Sequence, residues 1–453
     1  MRRRFKAAVL LTAALCLLLA GCFPREGGVD PLPTGRDPSA IRIEEPTPET
    51  TRIPTQAPTS VPTSVPTPVP TPAPTPAPTP EPTAAPTPAP TKTPKPTKTP
   101  KPTGAPKPTS APQTGEGGAD VTLMFVGDLM CLSGQQFAAK SQAGGNGYDF
   151  KPSFTYVKKL LSRADCAFGN LETTLSDSWP YASEEKEING KPNCNGPKQY
   201  LEAVKYAGFD ALSLANNHCC DAGKQGVIDT VDAVREYGLY GTGLFKSASS
   251  KRYLMIEVKG VRTALLSYSE FFNGFEGCVG NDTWMLNRYS EAAAKRDIAA
   301  ARADGAEIVI VYAHWGIEHT HEPTETVRRH AKQLADAGAD IICGAHSHAV
   351  QPVVWINASD GRRVLCMYSL GNFVSSMAQQ AANDTFIEEV GLKRTSGGVK
   401  VVSARCRPCR VFASLGGKCF VVVPTSETSI PSIRSELASA EERILRIVNK
   451  ERG

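Results

Sequence analysis

The sequence predicts an α/β fold of two packed sheets with helices outside, and three observations carry that expectation. Short apolar runs with β-branched content recur at Val121–Val126, Asp165–Phe168, Phe209–Ala215, Glu307–Ala313 and Ala339–Cys343. Runs of that length are the mark of strands buried on both faces. Helix-sized stretches separate them, as parallel strands require. Hairpin patterns interrupt the alternation, and that mixture suits two sheets better than one.

The elements follow in order. Pro152–Arg163 carries a helical pattern between the first two strands. Pro197–Ala207 opens near a proline and is closed by Gly208, the expected asymmetry of a helix. Lys224–Tyr237 is stopped by Gly238. Arg252–Val258 and Val261–Ser267 flank a Lys-Gly turn and predict a hairpin. Arg288–Ala303 and Glu322–Ala337, the latter ended by Gly338, are helices that each lead into an apolar run. Pro352–Asn357 and Arg362–Tyr368 form a second hairpin around a Ser-Asp-Gly turn. Beyond Val399 the pattern turns strand-rich, and Ile430–Val448 has the spacing of an amphipathic helix.

Each apolar run ends in polar residues of the kind that bind metals. They are Gly127-Asp128, Gly169-Asn170-Leu171-Glu172, Asn216-Asn217-His218, His314-Trp315-Gly316-Ile317-Glu318 and Gly344-Ala345-His346-Ser347-His348. Taken singly, each has a plainer reading: a turn, a helix cap, a helix start or a chance His-x-His. In an α/β sheet, however, ligands collect outside the carboxyl ends of the strands. One edge would therefore gather Asp128, Glu172, Asn217, His218, His314, His346 and His348. All seven histidines lie within 218–348. His346 and His348, at alternating positions on an extended segment, would point the same way. His319, His321 and His330 fall in a loop and a helix and are expected at the surface or behind the ligands.

The N-terminal part is not a folded domain. Arg2, Arg3, Arg4 and Lys6 precede the apolar stretch Ala7–Ala20, the layout of a secretory signal. Leu19-Ala20-Gly21-Cys22 resembles the bacterial lipoprotein cleavage box, which makes Cys22 the expected lipidation site and residues 1–22 the signal peptide. A Thr-Pro/Ala-Pro repeat fills Pro46–Pro112 within a disordered stalk expected over 23–118. Proline at that density favours extended polyproline II, and about 67 residues reach on the order of 200 Å. The expected location is thus the extracellular face of the cytoplasmic membrane, lipid-anchored, in a Gram-positive envelope. The net charge of +5 draws partly on leader and stalk lysines, and nothing in it calls for nucleic acid. Thirteen cysteines leave eleven beyond Cys16 and Cys22, an odd number that cannot all pair. Cys406-Arg407-Pro408-Cys409 has half the spacing of a zinc knuckle, for which a disulfide or plain thiols are the simpler expectation.

The ligand-grade strings together resemble the CapA family of capsule and poly-γ-glutamate synthesis proteins, within the calcineurin-like metallophosphoesterase superfamily. The matching strings are Gly127-Asp128-Leu129-Met130, Gly169-Asn170-Leu171-Glu172, Ala215-Asn216-Asn217-His218 with Asp221, and His314-Trp315-Gly316 with Glu318. Gly344-x-His346-x-His348-x-x-Gln351 and Tyr368-Ser369-Leu370-Gly371-Asn372-Phe373 complete them, spanning 119–376. Residues 377–453 are expected to add strands and a helix to the same domain. The resemblance implies a four-layer α/β/β/α sandwich of the metallophosphoesterase type with two divalent metal ions, Mn, Fe or Zn. It implies Asp128 and His348 on one ion, and Asn217, His314 and His346 on the other. Glu172 (or Asn170) would bridge them. It also implies catalytic roles for His218, as acid, and for Glu318, orienting a ligand. Met130 stands where phosphoesterases of the superfamily carry a histidine. The implied function is capsule or poly-γ-glutamate biosynthesis or processing by a metal-dependent hydrolase or transferase of phosphoester or amide bonds. The alternative is a non-catalytic polymer-binding or assembly factor. The expected partners are a cell-envelope polymer such as poly-γ-glutamate, a membrane synthase, and the membrane itself through the anchor.

Overall fold

The computed structural model describes residues 41–43, 120–188 and 190–452. The expected leader with Cys22, and the Thr/Pro repeat, lie outside the described residues.

The strands of the two large sheets, in chain order, begin with β1 (Ile41–Ile43), β2 (Val121–Met130), β3 (Cys166–Glu172), β4 (Ala211–Ser213) and β5 (Tyr240–Thr242). Next come β6 (Leu254–Val258), β7 (Val261–Ser269), β8 (Ile308–His314), β9 (Ile341–Ala345) and β10 (Val353–Asn357). The last are β11 (Arg363–Met367), β12 (Asn372–Val374), β13 (Asp384–Thr395), β14 (Gly398–Leu415) and β15 (Lys418–Pro424). The first sheet runs β1-β6-β7-β8-β9-β11-β10, with β7, β8, β9 and β11 parallel. The second runs β15-β14-β13-β2-β3-β4-β5, with β2 to β5 parallel and β12 also paired to β2.

Strand alternation builds the layers. In β8, Ile308, Ile310 and Tyr312 enter the core between the sheets, and Val309, Val311 and Ala313 face the other way. There they meet Ile298 and Ala301 of helix α5 (Glu291–Ala303) and Val327, Ala331 and Leu334 of α6 (Glu325–Ala337), once the earlier helices are counted. Those earlier helices are α1 (Ser133–Gln142), α2 (Lys158–Leu161), α3 (Tyr200–Ala207) and α4 (Gly223–Glu236), which cover the outer face of the second sheet. In β2, Leu123 and Phe125 point into the inter-sheet core and Met124 and Val126 point to these helices. The result is the four-layer α/β/β/α sandwich expected from the sequence. A last helix, α7 (Arg434–Val448), lays Ala440, Ile444 and Val448 against the inter-sheet core.

Local chemistry sets the helix ends. Thr324 caps α6 by accepting from the Val327 N–H at 3.2 Å, and Gly338 ends it in the left-handed conformation. Ser290 caps α5 in the same way through the Ala293 N–H.

Three features differ from the sequence expectation. The helix expected over 152–163 is broken into a 3₁₀ turn at Lys151–Phe154, with Pro152 in its first turn, and the short α2. Helix α1 was not expected because it has little apolar periodicity. Buried glutamines anchor it instead, with Gln135 Nε2 donating to the Met130 carbonyl and Gln136 Nε2 to the Cys131 carbonyl, both at 2.7 Å. Ile41–Ile43, inside the stretch assigned to the stalk, forms an antiparallel edge strand on β6, and Ile41 packs against the inter-sheet core. Cys406 and Cys409 are plain thiols, one of the two expectations for them, and lie on opposite faces of β14, one toward the inter-sheet core and one in the outer core. They cannot face one ion, and no disulfide forms among the described cysteines.

Candidate metal centre at the strand ends

Parallel strands in both sheets send their carboxyl ends to one edge. Asp128 and Glu172 sit at the ends of β2 and β3, and Asn217 and His218 follow β4. His314 ends β8, and His346 and His348 follow β9. All seven are buried. Two glycines permit the close approach that this needs. A Cβ on Gly127 would lie 1.9 Å from the Gly371 carbonyl oxygen, the same oxygen that accepts from the Asp128 N–H at 3.0 Å. A Cβ on Gly344 would lie 1.8 Å from the Tyr368 carbonyl oxygen.

A polar network aims the side chains. Asn170 Nδ2 donates to Asp128 Oδ1 at 2.8 Å and lies 3.3 Å from His314 Nδ1. His314 Nε2 lies 2.9 Å from Asn217 Oδ1 and 3.5 Å from Glu172 Oε1. His348 Nδ1 is held by Asn372 Oδ1 at 2.8 Å, so Nε2 turns inward, 3.9 Å from Glu172 Oε1. Such a partner behind a ligating histidine fixes both tautomer and ring orientation. The rings of His314 and His346 are 4.8 Å apart, and Phe271 covers His346 at 4.5 Å.

The expected extended His-x-His is not what brings His346 and His348 together. β9 ends at Ala345, and the two histidines have φ of 91° and 54°. Non-glycine residues rarely adopt that region, at a cost of roughly 1–3 kcal/mol each, and such strain collects at functional sites. The turn lets the His346 N–H donate to Asp128 Oδ2 at 3.3 Å while both rings still converge.

Electrostatics give this edge a demand for positive charge. Both carboxylate oxygens of Glu172 are buried and meet no hydrogen-bond donor among the described residues, and His346 Nδ1 is likewise unmet. Burial, then the neighbouring Asp128, pushes the Glu172 carboxyl well above its ordinary range. Burial, reinforced by the other histidines, holds His314 well below its usual value, and burial brings His346 down to about 3. Neutral imidazoles and unmet carboxylate oxygens suit divalent ions, so the donor set fits the metals that the sequence implied. Two candidate ligand groups share Glu172: Glu172 with His346 and His348, and Asp128 with Glu172 and His314.

His218 differs from His314 and His346. Burial alone would lower its pKa, yet Cys194 and Asp221 beside it hold it well above the usual value. Its Nδ1 lies 2.8 Å from Asp221 Oδ2. Glu318 belongs to none of the candidate ligand groups. It sits on the exposed turn after Trp315, where Gly316 has φ 92°, with its carboxylate 3.9 Å from His319 Nε2 and near enough to Cys194 to push that thiol up. The His319 ring lies 5.8 Å from that of His348 and tilted to it, His321 Nδ1 meets the Val350 carbonyl at 2.8 Å, and His330 Nδ1 lies 2.5 Å from Glu270 Oε1. Sequence reasoning assigned no role to Asn372, although its string was noted, and it missed Phe271 and Cys194. Of these, only Asn372 stood within a recognisable motif.

The model of the family described as bacterial capsule synthesis protein PGA_cap matches residues 122–377. The chain belongs to that family. This PGA_cap protein is 30% identical over 276 residues to the PGA biosynthesis protein CapA of Bacillus subtilis, covering 60% of this chain and 68% of that one. It is 29% identical over 278 residues to the capsule biosynthesis protein CapA of Bacillus anthracis, covering 60% of this chain and 64% of the relative. Among solved structures it is similar to the calcineurin-like phosphoesterase YfkN of Bacillus subtilis, with a TM-score of 0.37 and 12% identity, over 72% of this chain and 98% of that one. It is also similar to the sulfate thiohydrolase SoxB of Thermus thermophilus, with a TM-score of 0.35 and 13% identity, over 71% of this chain and 47% of that one.

Proposed function

We propose that this PGA_cap protein is a metal-dependent hydrolase or transferase acting on phosphoester or amide bonds of a cell-envelope polymer such as poly-γ-glutamate. It would be tethered through Cys22 to the outer face of the cytoplasmic membrane and work beside a membrane synthase. The observation that carries the reading is Glu172, fully buried at a convergence of strand ends with both oxygens unmet. A purely structural position would not leave them so.

Asp128, Glu172, Asn217, His314, His346 and His348 would hold the ions. Divalent ions held there would supply charge that polarises a substrate oxygen and acidifies a water. The chain's own residues do the rest. Asn372 locks the orientation of His348, and Asn170 fixes Asp128 against His314. Phe271 packs edge to face against the His346 ring. His218, with Nδ1 2.8 Å from the Asp221 carboxylate, would hold the proton that a departing oxygen or nitrogen needs.

A second reading, a polymer-binding assembly factor without turnover, is favoured by Met130. It is wholly buried at the end of β2, where superfamily phosphoesterases carry a histidine ligand. Metal content and turnover of the purified full chain, assayed on phosphodiester and γ-glutamyl substrates, separate the two. The hydrolase reading expects about two ions per chain and metal-dependent turnover. Bound metal with no turnover on either substrate class would favour the assembly factor. Absence of bound metal after loading would remove both.

A further inference from the structure

Beside the strand-end cluster lies a second set of ligand-grade atoms that the proposed chemistry does not use as ligands. Cys194 Sγ, a His218 ring nitrogen and an Asp221 carboxylate oxygen lie within 4.8 Å of one another, all buried. The loop that carries Cys194 is firmly placed. Its N–H donates to Asp221 Oδ2 at 2.8 Å, its carbonyl accepts from Thr173 Oγ1, and Asn195 pairs with Thr174. His218 is fixed from behind by Thr174 Oγ1, which donates to its carbonyl at 2.7 Å. Asp221 Oδ2 serves both His218 Nδ1 and the Cys194 N–H, yet its other oxygen, Oδ1, is buried without a donor. An unmet carboxylate oxygen beside a thiol and an imidazole is a cation-binding arrangement.

We propose that Cys194, His218 and Asp221 form a separate site for one thiophilic divalent cation of the Zn²⁺ class. The donor chemistry sets the selectivity. Sulfur is absent from the strand-end cluster, whose carboxylates, amide and imidazoles accept Mn²⁺ readily, whereas a thiolate favours Zn²⁺, Cd²⁺ or Co²⁺. Charge balances as well: a thiolate and a carboxylate together neutralise one divalent ion in a buried place. Binding expels the Cys194 thiol proton, and the cation takes its place. The site stands apart from the hydrolase reading.

The test uses the full chain, stripped with chelator, loaded with Mn²⁺ and then titrated with Co²⁺. Ligation by sulfur gives a thiolate-to-cobalt absorption band in the near ultraviolet. The band should saturate at about one equivalent, as a single mononuclear site requires. It should vanish in Cys194→Ser and persist in Cys278→Ser. No band in the wild type, or an unchanged band in Cys194→Ser, would overturn the site. A protein with the cobalt band and no turnover at all would count against the hydrolase reading alone.

Discussion

Glu172→Gln separates the two roles of that carboxylate, ligand and buried charge, because it removes the charge and keeps the shape. Without metal, the wild-type side chain buries two oxygens that meet no donor, next to Asp128. An unmet buried polar group costs about 1–3 kcal/mol. The amide brings a donor of its own toward Asp128. The chelated variant should therefore be as stable as the chelated wild type, or more stable by up to about 3 kcal/mol. Metal reverses the order. At a free Mn²⁺ concentration about 100-fold above the dissociation constant, each ion stabilises the wild type by about 2.7 kcal/mol. At roughly 2–4 °C per kcal/mol, that is a rise in melting temperature of roughly 5–10 °C per ion. The variant, without the shared anionic ligand, should rise by less than about 2 °C. Melting curves of the full chain in EDTA and in Mn²⁺, with bound metal counted alongside, read both effects. A variant destabilised equally in the two buffers, or one that gains as much from Mn²⁺ as the wild type, would refute the placement of Glu172 at a metal.

Three further outcomes are expected. His314→Ala and His346→Ala should each lower bound Mn²⁺ and turnover together, whereas His218→Ala should keep its Mn²⁺ at the strand-end centre and lose about 10²–10⁴ in rate; Mn²⁺ loss in the last would make it a ligand of that centre. Glu388, buried between β13 and its neighbours, is pushed up to about 7 by burial, which outweighs its contact with Arg452. A carboxyl whose folded pKa exceeds its unfolded value stabilises fully below about 4.5 and loses that contribution, about 3 kcal/mol, as pH rises through 7. Urea midpoints should therefore fall from pH 5 to 8 in the wild type and stay flatter in Glu388→Gln, and parallel profiles would contradict this. Cys22→Ala should release the protein from membranes of the producing cell or stall its processing, and normal processing with membrane retention would remove the lipid anchor.

What was legible in the sequence is what periodicity and strand ends encode. β8 is near-continuously apolar because both its faces are buried, so its existence and the position of His314 just inside its end followed from composition. The helices α5 and α6 were legible from their spacing, and the end of α6 from Gly338. Helix α1 was not, because two buried glutamines bonded to strand carbonyls leave no apolar stripe. Ile41–Ile43 was hidden by its length: three residues carry no period, and only the exposed edge of β6 gives them a role.

At the site the division follows the same physics. Ligand types at strand ends are local facts, and the parallel order of β2, β3 and β4 and of β7, β8 and β9 makes their convergence a matter of topology. How the last two histidines converge is not local. An extended His-x-His would aim both rings one way by the strand's own period, and the chain instead spends strain, with φ of 91° and 54°, to turn there. That turn is held by Asp128 accepting from the His346 N–H and by Asn372 holding His348, partners 218 and 24 residues away. Cys194 was invisible for the same reason, since its meaning comes from Asp221 across 27 residues of chain. Glu318 shows the converse: it lies only four residues beyond His314, but sits on the exposed turn after the left-handed Gly316 and belongs to none of the candidate ligand groups. Nearness along the chain to a ligand is therefore a weak guide to membership of this centre, and a buried oxygen left without a donor is a stronger one.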